Sequence, residues 1–354
     1  MSTFLGLIEE IPGISVDRFD GKNLYSSAYF LSHCHTDHMR GLNQQFFEHL
    51  KQYKKYLYCS RISKVFLETK YNIETCVKDI DIDNKISIEY KSQGSKTNLF
   101  VTCISAGHCP GSVMFLFEKM DKLILYTGDF RINPRDYKKI VSLHYCRDFN
   151  VLPKKFAKMY LDTTFLDPNF TFLPTRKESI NEMCKVVRKW LEESPRNVVV
   201  LECSALYGSE FLYMELSKSL HIPIHIKNHV YESYCRIPDL ARHITNNSLT
   251  TRIHACMEKM DRSGLECRSD IDNKNILTIV PSVQKWKGSD TSVVGEWDRD
   301  RERTFNVCYS THASFDELKK FIQYFKPQEI HPCVCPESLK YTIFRLLNEI
   351  KSTF

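Results

Sequence analysis

No stretch of this 354-residue chain approaches the ~20 consecutive apolar residues that a membrane-spanning helix needs. The opening segment, MSTFLGLIEEIPG, has no basic n-region and carries Glu9 and Glu10, so it does not read as a secretory signal. No internal repeat and no long low-complexity tract is present. Nor is the charge strongly one-sided. Forty-nine Lys and Arg against 43 Asp and Glu leave a formal +6, which permits a polyanionic partner without demanding one. A cytosolic or nuclear protein is the expectation.

Cysteine is plentiful, with 14 residues. In a small secreted protein that number would signal a disulfide framework. Scattered through a long chain without a signal, the cysteines read as buried thiols with a few metal ligands among them. The length suggests two substantial domains, and 42% hydrophobic residues is enough for ordinary cores.

Runs rich in β-branched and apolar residues mark strands at SAYFLS (27–32), LFVTCISAG (99–107), VMFLFE (113–118), KLILYTGDF (122–130) and KMYLDTTF (158–165). The polar stretch between LYCS and LFVT reads as strand-poor. Beyond Phe165, Thr175 and Glu178 form a capping-box pattern that opens a helix, RKESINEMCKVVRKWLEES. The strand NVVVLE, a helix from about Gly208, the strand IPIHIK and a helix over YESYCRIPDLARHI follow. Residues 283–304 read as a loop or linker. FNVCYS and EIHPCVC are strand-like, and SFDELKKFIQYF and SLKYTIFRLLNEIK are helical. Alternating strands and helices indicate an α/β protein.

Directly after the first of these strands stands HCHTDH, with His33, His35, Asp37 and His38 at H-x-H-x-D-H spacing. In an extended segment His33 and His35 project to one side and reach the same ion. Asp37 and His38 fall in the following turn, where they reach a neighbouring position. Imidazole and carboxylate together suit zinc or a similar divalent ion. A chance cluster of surface histidines is the plain alternative, and the third histidine and the aspartate argue against it. SAGHCPGSVMF then places His108 in a Gly-rich turn, and LYTGDF places Asp129 at a strand end. Strand ends are where an α/β scaffold presents its site.

These stretches, with ISVDRFD, AYFLSHCHTDHMRGL, AGHCPGSVMFLF, LYTGDFR, YLDTTF, IHAC and STHASF, resemble the metallo-β-lactamase fold hydrolases. The similarity is greatest to their nucleic-acid-processing β-CASP branch and, within it, the Artemis-type DNA nucleases. It runs along nearly the whole chain. It implies an α/β fold: a metallo-β-lactamase αββα sandwich built from residues 1–155 and 305–354, with an inserted α/β β-CASP domain over 156–304. It also implies that His33, His35, His108 and Asp129 hold one ion, that Asp37 and His38 hold a second with Asp129 bridging, and that Asp17 orients the histidine loop from behind. Asp162 and His312 would form a pair that protonates the departing 3′ oxygen or orients the phosphate. The implied ions are zinc, with magnesium or manganese as alternatives in the second position.

A structural zinc held by His225, His254, Cys256 and Cys267 is implied in the inserted domain. The spacing is not that of a standard zinc finger, so without the resemblance, buried thiols beside surface histidines would be the plainer reading. His221 and His229 compete for the place of His225. Val334 in HPCVCP stands where RNA-cleaving members have histidine, which favours DNA. Arg40, Lys54, Lys55, Ser112 and Ser314 are candidates for DNA contact, joined by Lys51, Arg61 and Lys64; an ordinary solvated face is an equal alternative for the basic residues. Ser204 stands where the similar proteins carry lysine. The implied activity is structure-selective DNA endonuclease action at hairpins, overhangs and single–double strand junctions, with some 5′-exonuclease action, in non-homologous end joining. The implied setting is the nucleus, as a monomer, with a DNA-dependent protein kinase as partner. The alternatives are a 5′-phosphate-dependent exonuclease of crosslink repair and a non-catalytic DNA-end-binding scaffold. A small-thioester hydrolase would leave the inserted domain unexplained.

Overall fold

The computed structural model describes residues 2–73, 75–92, 94–147, 150–203, 208–257 and 264–354. The chain divides into two compact units, Met1–Pro168 with His312–Phe354, and Asn169–Thr311. These divisions fall later than the bounds implied by the resemblance, and strand pairing is the reason. Lys158–Leu161 pairs in parallel with Ile124–Tyr126 on one side and Glu329–Pro332 on the other, which keeps it in the first unit. Thr304–Val307 pairs with Thr278–Pro281, which keeps it in the second.

Among the described residues the first unit contains two large sheets and a two-stranded antiparallel one, His144–Arg147 with Asn150–Pro153. Strands Ile14–Val16, Ala28–Leu31, Tyr56–Cys59 and Val77–Asp79 form a four-stranded parallel sheet in that order. The second sheet runs Glu329–Pro332, Lys158–Leu161, Lys122–Tyr126, Val113–Lys119, Ser95–Ser105, Lys85–Ser92. Side chains alternate across a strand, and Val113–Lys119 uses both faces. Phe115 and Phe117 turn toward the parallel sheet and meet Phe30 at ring-centroid distances of 5.2 and 5.0 Å. Met114 and Leu116 turn the other way and join Phe321, Ile322, Phe325, Leu346 and Leu347 from the helices Phe315–Phe325 and Lys340–Lys351. On the outer face of the parallel sheet, Tyr29 packs edge-on against Phe46 of helix Gln44–Tyr53, with centroids 5.0 Å apart. The layers are helix, sheet, sheet, helix.

The polar stretch expected to be strand-poor holds the helix Arg61–Lys70, capped by Ser60, the strand Val77–Asp79 of the parallel sheet, and Lys85–Ser92, the edge strand of the larger sheet. Its period-two signal, Ile86, Ile88 and Tyr90, is diluted by charged residues that suit an edge.

The second unit holds a seven-stranded sheet in the order Ile244–Thr245, Ile224–His225, Ile253–His254, Val198–Leu201, Ile276–Pro281, Thr304–Val307, Gly295–Trp297. All neighbours are parallel except the last pair. Helix Arg176–Glu193 opens with the reciprocal Thr175–Glu178 cap that the sequence specifies. The stretch expected to be one helix near residue 231 is two, Asn228–Tyr234 and Pro238–Ala241. Pro238 has no N–H to continue the first and starts the second instead. Residues 283–304, expected as a loop, include Gly295–Trp297, which pairs antiparallel with the next strand and sets Trp297 5.1 Å from Phe305.

Candidate metal centre

Strand Ala28–Leu31 ends at Ser32, and His33 to His38 follow in a short loop closed by a 3-10 turn over Thr36–His38. Behind that loop Asp17, at the end of strand Ile14–Val16, is buried and adopts φ 55°, a left-handed conformation that aspartate tolerates better than most residues. Its Oδ1 accepts the Ser32 N–H at 2.6 Å. Its Oδ2 accepts from Ser32 Oγ at 2.5 Å, His38 Nδ1 at 2.8 Å and Tyr126 OH at 2.8 Å. Asp17 thus bonds the histidine loop at Ser32 and His38.

The ligand atoms of His33, His35, His108 and Asp129 lie within 4.8 Å of one another. Asp129 Oδ2 is 3.6 Å from His33 Nε2 and 3.7 Å from His108 Nε2, and His108 Nε2 is 3.0 Å from His35 Nδ1. The other oxygen, Asp129 Oδ1, faces His38 Nε2 at 3.2 Å, which is in turn 3.8 Å from Asp37 Oδ2. One carboxylate therefore addresses two adjacent donor sets. Asp37 is half-buried and accepts the Ser2 N–H at 2.9 Å.

These donors fit a divalent cation. His33 Nε2 is buried and makes no hydrogen bond among the described residues, a costly arrangement unless a ligand completes it. Burial holds His33 well below the usual histidine range, helped by His38 and His35. Burial likewise brings His35 down to about 4, so both are neutral, the form that ligates metal. His38 differs. Burial would lower it, but the Asp129 and Asp17 carboxylates outweigh that and raise it well above the ordinary value, so an ion there must displace its proton. Burial would raise Asp129, and His38 and His312 instead hold its carboxyl well below the usual range.

His312 completes the cluster just before helix Phe315–Phe325. Its Nδ1 is 2.9 Å from Asp162 Oδ2, and its Nε2 is 3.8 Å from Asp129 Oδ2. Asp162 is buried at the end of its strand, its other oxygen taken by Thr164 N at 2.9 Å and Thr164 Oγ1 at 2.6 Å. The Asp162 carboxylate fixes the ring with Nδ1 as donor and leaves Nε2 facing the centre.

In the second unit, His225 and His254 sit side by side on neighbouring parallel strands, with Nδ1 atoms 3.2 Å apart. Cys267 Sγ lies 3.4 Å from His254 Nδ1 and 3.4 Å from Cys256 Sγ. Two nitrogens and two sulfurs converge with the make-up of a closed tetrahedral site. The Cys267 thiol and the two histidines bring Cys256 down to about 3, which gives the cluster thiolate character. The competitors point elsewhere in the fold: His221 is the left-handed cap of helix Glu210–Leu220, and His229 lies in helix Asn228–Tyr234.

Several candidate DNA contacts are committed to the fold instead. Ser112 is buried and its Oγ accepts the N–H groups of His108 and Cys109, both at 3.1 Å, so it shapes the histidine turn. Ser314 is buried and its Oγ caps helix Phe315–Phe325. Lys55 Nζ turns inward to the Leu24 carbonyl at 2.9 Å, and Arg40 Nε pairs with Asp20 at 3.1 Å. Lys54 is exposed at a helix C-cap. Ser204 lies outside the described residues.

A family model described as DNA repair metallo-beta-lactamase matches residues 238–338. Protein artemis of Rattus norvegicus is 37% identical, the match covering 99% of this chain and 51% of that one; for protein artemis of Homo sapiens the figures are 37%, 95% and 50%. Over residues 238–338 the chain is similar to the DNA-repair metallo-β-lactamase family, and along nearly its whole length to the artemis proteins. DNA cross-link repair 1A protein of Mus musculus is a more distant relative, 28% identical over 91% of this chain and 30% of its own length. The chain spans about half the length of the artemis proteins it matches. A crystal structure of a protein of unknown function from Enterococcus faecalis V583 shares the fold, with a TM-score of 0.51 and 14% identity, over 86% of this chain and 75% of that one.

The sequence did not single out Ser32, Tyr126 or Thr164. Each stands within one to three residues of a motif residue, at His33, Asp129 and Asp162, and that adjacency is the signal available.

Proposed function

We propose that this chain is a metal-dependent DNA phosphodiesterase, a structure-selective endonuclease for hairpins, overhangs and single–double strand junctions, with some 5′-exonuclease action. The observation that carries it is the division of Asp129 between two donor sets, with the Asp162–His312 pair alongside. His33, His35, His108 and Asp129 would hold one divalent ion, zinc by donor type, and Asp129, Asp37 and His38 a second, for which magnesium and manganese are alternatives. When bound, such ions acidify water and neutralise charge on phosphate oxygens. The chain's own groups do the rest. The Asp17 carboxylate orients the ligand loop, and Asp162 holds His312 so that Nε2 delivers a proton to the departing 3′ oxygen. Burial would lower His312, but Asp162 and Asp129 outweigh it and raise it, favouring the protonated form an acid needs.

His225, His254, Cys256 and Cys267 would hold a structural zinc. The biological setting we propose is end joining of double-strand breaks in the nucleus, as a monomer, with a DNA-dependent protein kinase as partner. The test is a panel of labelled hairpin, overhang and 5′-phosphorylated linear DNA, each with zinc, magnesium and manganese. Hairpin opening supports the proposal. Degradation confined to 5′-phosphorylated ends would replace it with an exonuclease of crosslink repair, and binding without cleavage would leave an end-binding scaffold.

A further inference from the structure

We infer that Ser32 is a positioning residue that sets the tautomer of His33, so that the single carboxylate of Asp17 governs ligands of both donor sets. The inference rests on the reading of this cluster as a metal centre. The argument is a count of protons. Ser32 Oγ has one hydrogen and two close partners, Asp17 Oδ2 at 2.5 Å and His33 Nδ1 at 2.9 Å. An ionised carboxylate only accepts. The serine hydrogen therefore goes to Asp17, and His33 Nδ1 must carry a hydrogen and donate it to Oγ. That leaves the lone pair on His33 Nε2, the buried atom without a hydrogen bond that faces Asp129. His38 needs no intermediary, since its Nδ1 donates directly to the same Asp17 oxygen. Asp17 thus acts on His38 by contact and on His33 through the Ser32 hydroxyl.

Independent features hold Ser32 in place. Its backbone N–H goes to Asp17 Oδ1, and its carbonyl accepts from Val113 N at 3.0 Å in the opposing sheet. It is fully buried. Gly128, at φ +51°, has no Cβ where one would lie 2.9 Å from both Ser32 Cβ and Oγ, so the residue beside Asp129 leaves this space for the hydroxyl. A serine retained only to fill volume would require neither the short carboxylate contact nor the gap opposite it.

The test uses the purified chain and Ser32→Ala. Nitrogen-15 NMR of the histidine rings in metal-free protein, with His33 assigned by a His33→Asn variant, reads the tautomer directly. Competition titration with Co²⁺ reads affinity, and a thermal melt and the optical signature of the separate Cys/His cluster report folding. The expected result is a protonated Nδ1 at His33 in the unsubstituted chain, loss of that preference in Ser32→Ala, and Co²⁺ affinity at the centre lower by roughly 10–100-fold, the usual effect of removing a ligand's outer hydrogen-bond partner. A His33 with Nε2 protonated in the unsubstituted chain overturns the inference, as does unchanged Co²⁺ affinity in a folded Ser32→Ala. If Ser32→Ala does not fold, the ring spectrum of the unsubstituted chain decides. If the unsubstituted chain binds no Co²⁺ at the centre, the metal reading fails, while the spectrum still judges the tautomer.

Discussion

Replacing His312 by alanine removes the group that we propose protonates the leaving oxygen. A positioned general acid contributes roughly 10²–10⁴-fold, or roughly 2.7–5.4 kcal/mol of transition-state stabilisation. DNA affinity should change far less, because His312 is one side chain at the edge of the donor cluster. Asp162→Asn probes the same pair from the other end. Asp162 Oδ1 is held by Thr164 N and Oγ1, so an asparagine that keeps its oxygen there turns its NH2 toward Phe130 N and His312 Nδ1. Donor then faces donor, and the imidazolium loses a charge-assisted bond of roughly 1.5–3 kcal/mol. At 1.36 kcal/mol per pKa unit, that is roughly 1–2 units. The acid works only while protonated, so the rate falls as pH rises through the His312 pKa, which the carboxylates raise. Asp162→Asn should therefore move the alkaline limb of the single-turnover rate to lower pH by roughly that amount, with a smaller loss than His312→Ala. The double variant should lose less than the product of the two, because the pair acts as a unit. Single-turnover rates and DNA affinities across pH decide this. A His312→Ala that mainly loses affinity, an alkaline limb unmoved in Asp162→Asn, or two defects that multiply would each refute the reasoning.

Asp37→Asn and His35→Ala should each abolish cleavage while leaving the melting temperature within a few degrees; wild-type activity in a folded, nuclease-free preparation of either contradicts the donor assignment. Cys256→Ala and Cys267→Ala should lower zinc content by one ion and loosen the second unit, since the free energy of binding a structural ion is folding free energy. Equal zinc stoichiometry and equal melting in these variants would reject that site. Arg131 is buried and its guanidinium meets Glu317, the residue that also receives the Ser314 N–H at the start of the His312 helix. Arg131→Leu should cost about 2–3 kcal/mol, below the range for breaking a fully buried pair because Glu317 is partly exposed. Urea denaturation measures it, and a loss under 0.5 kcal/mol, on the order of a surface change, would contradict it.

The candidate metal ligands were legible because their chemistry is written locally. Three histidines and an aspartate fall within six residues at a strand end, and His108 and Asp129 each follow an apolar run. The reciprocal helix cap at Thr175 was legible for the same reason, its two partners being three residues apart. Local pattern could not say which of His221, His225 and His229 faces His254, because that depends on the register of two strands paired across 29 residues. The domain limits at Pro168 and Thr311 were likewise set by the pairing of Lys158–Leu161 and Thr304–Val307, where the resemblance implied earlier divisions. Ser112 and Ser314, candidates for DNA contact in the sequence, are buried by packing and give their oxygens to backbone N–H groups. By itself the sequence determined which residue types are available for ligation and where the strongly patterned strands and helices lie. Only the tertiary structure decided which way each ring faces and which nitrogen carries its proton. Asp17, Ser32, His38 and Tyr126 lie up to 109 residues apart and share hydrogens only once two sheets have closed over them.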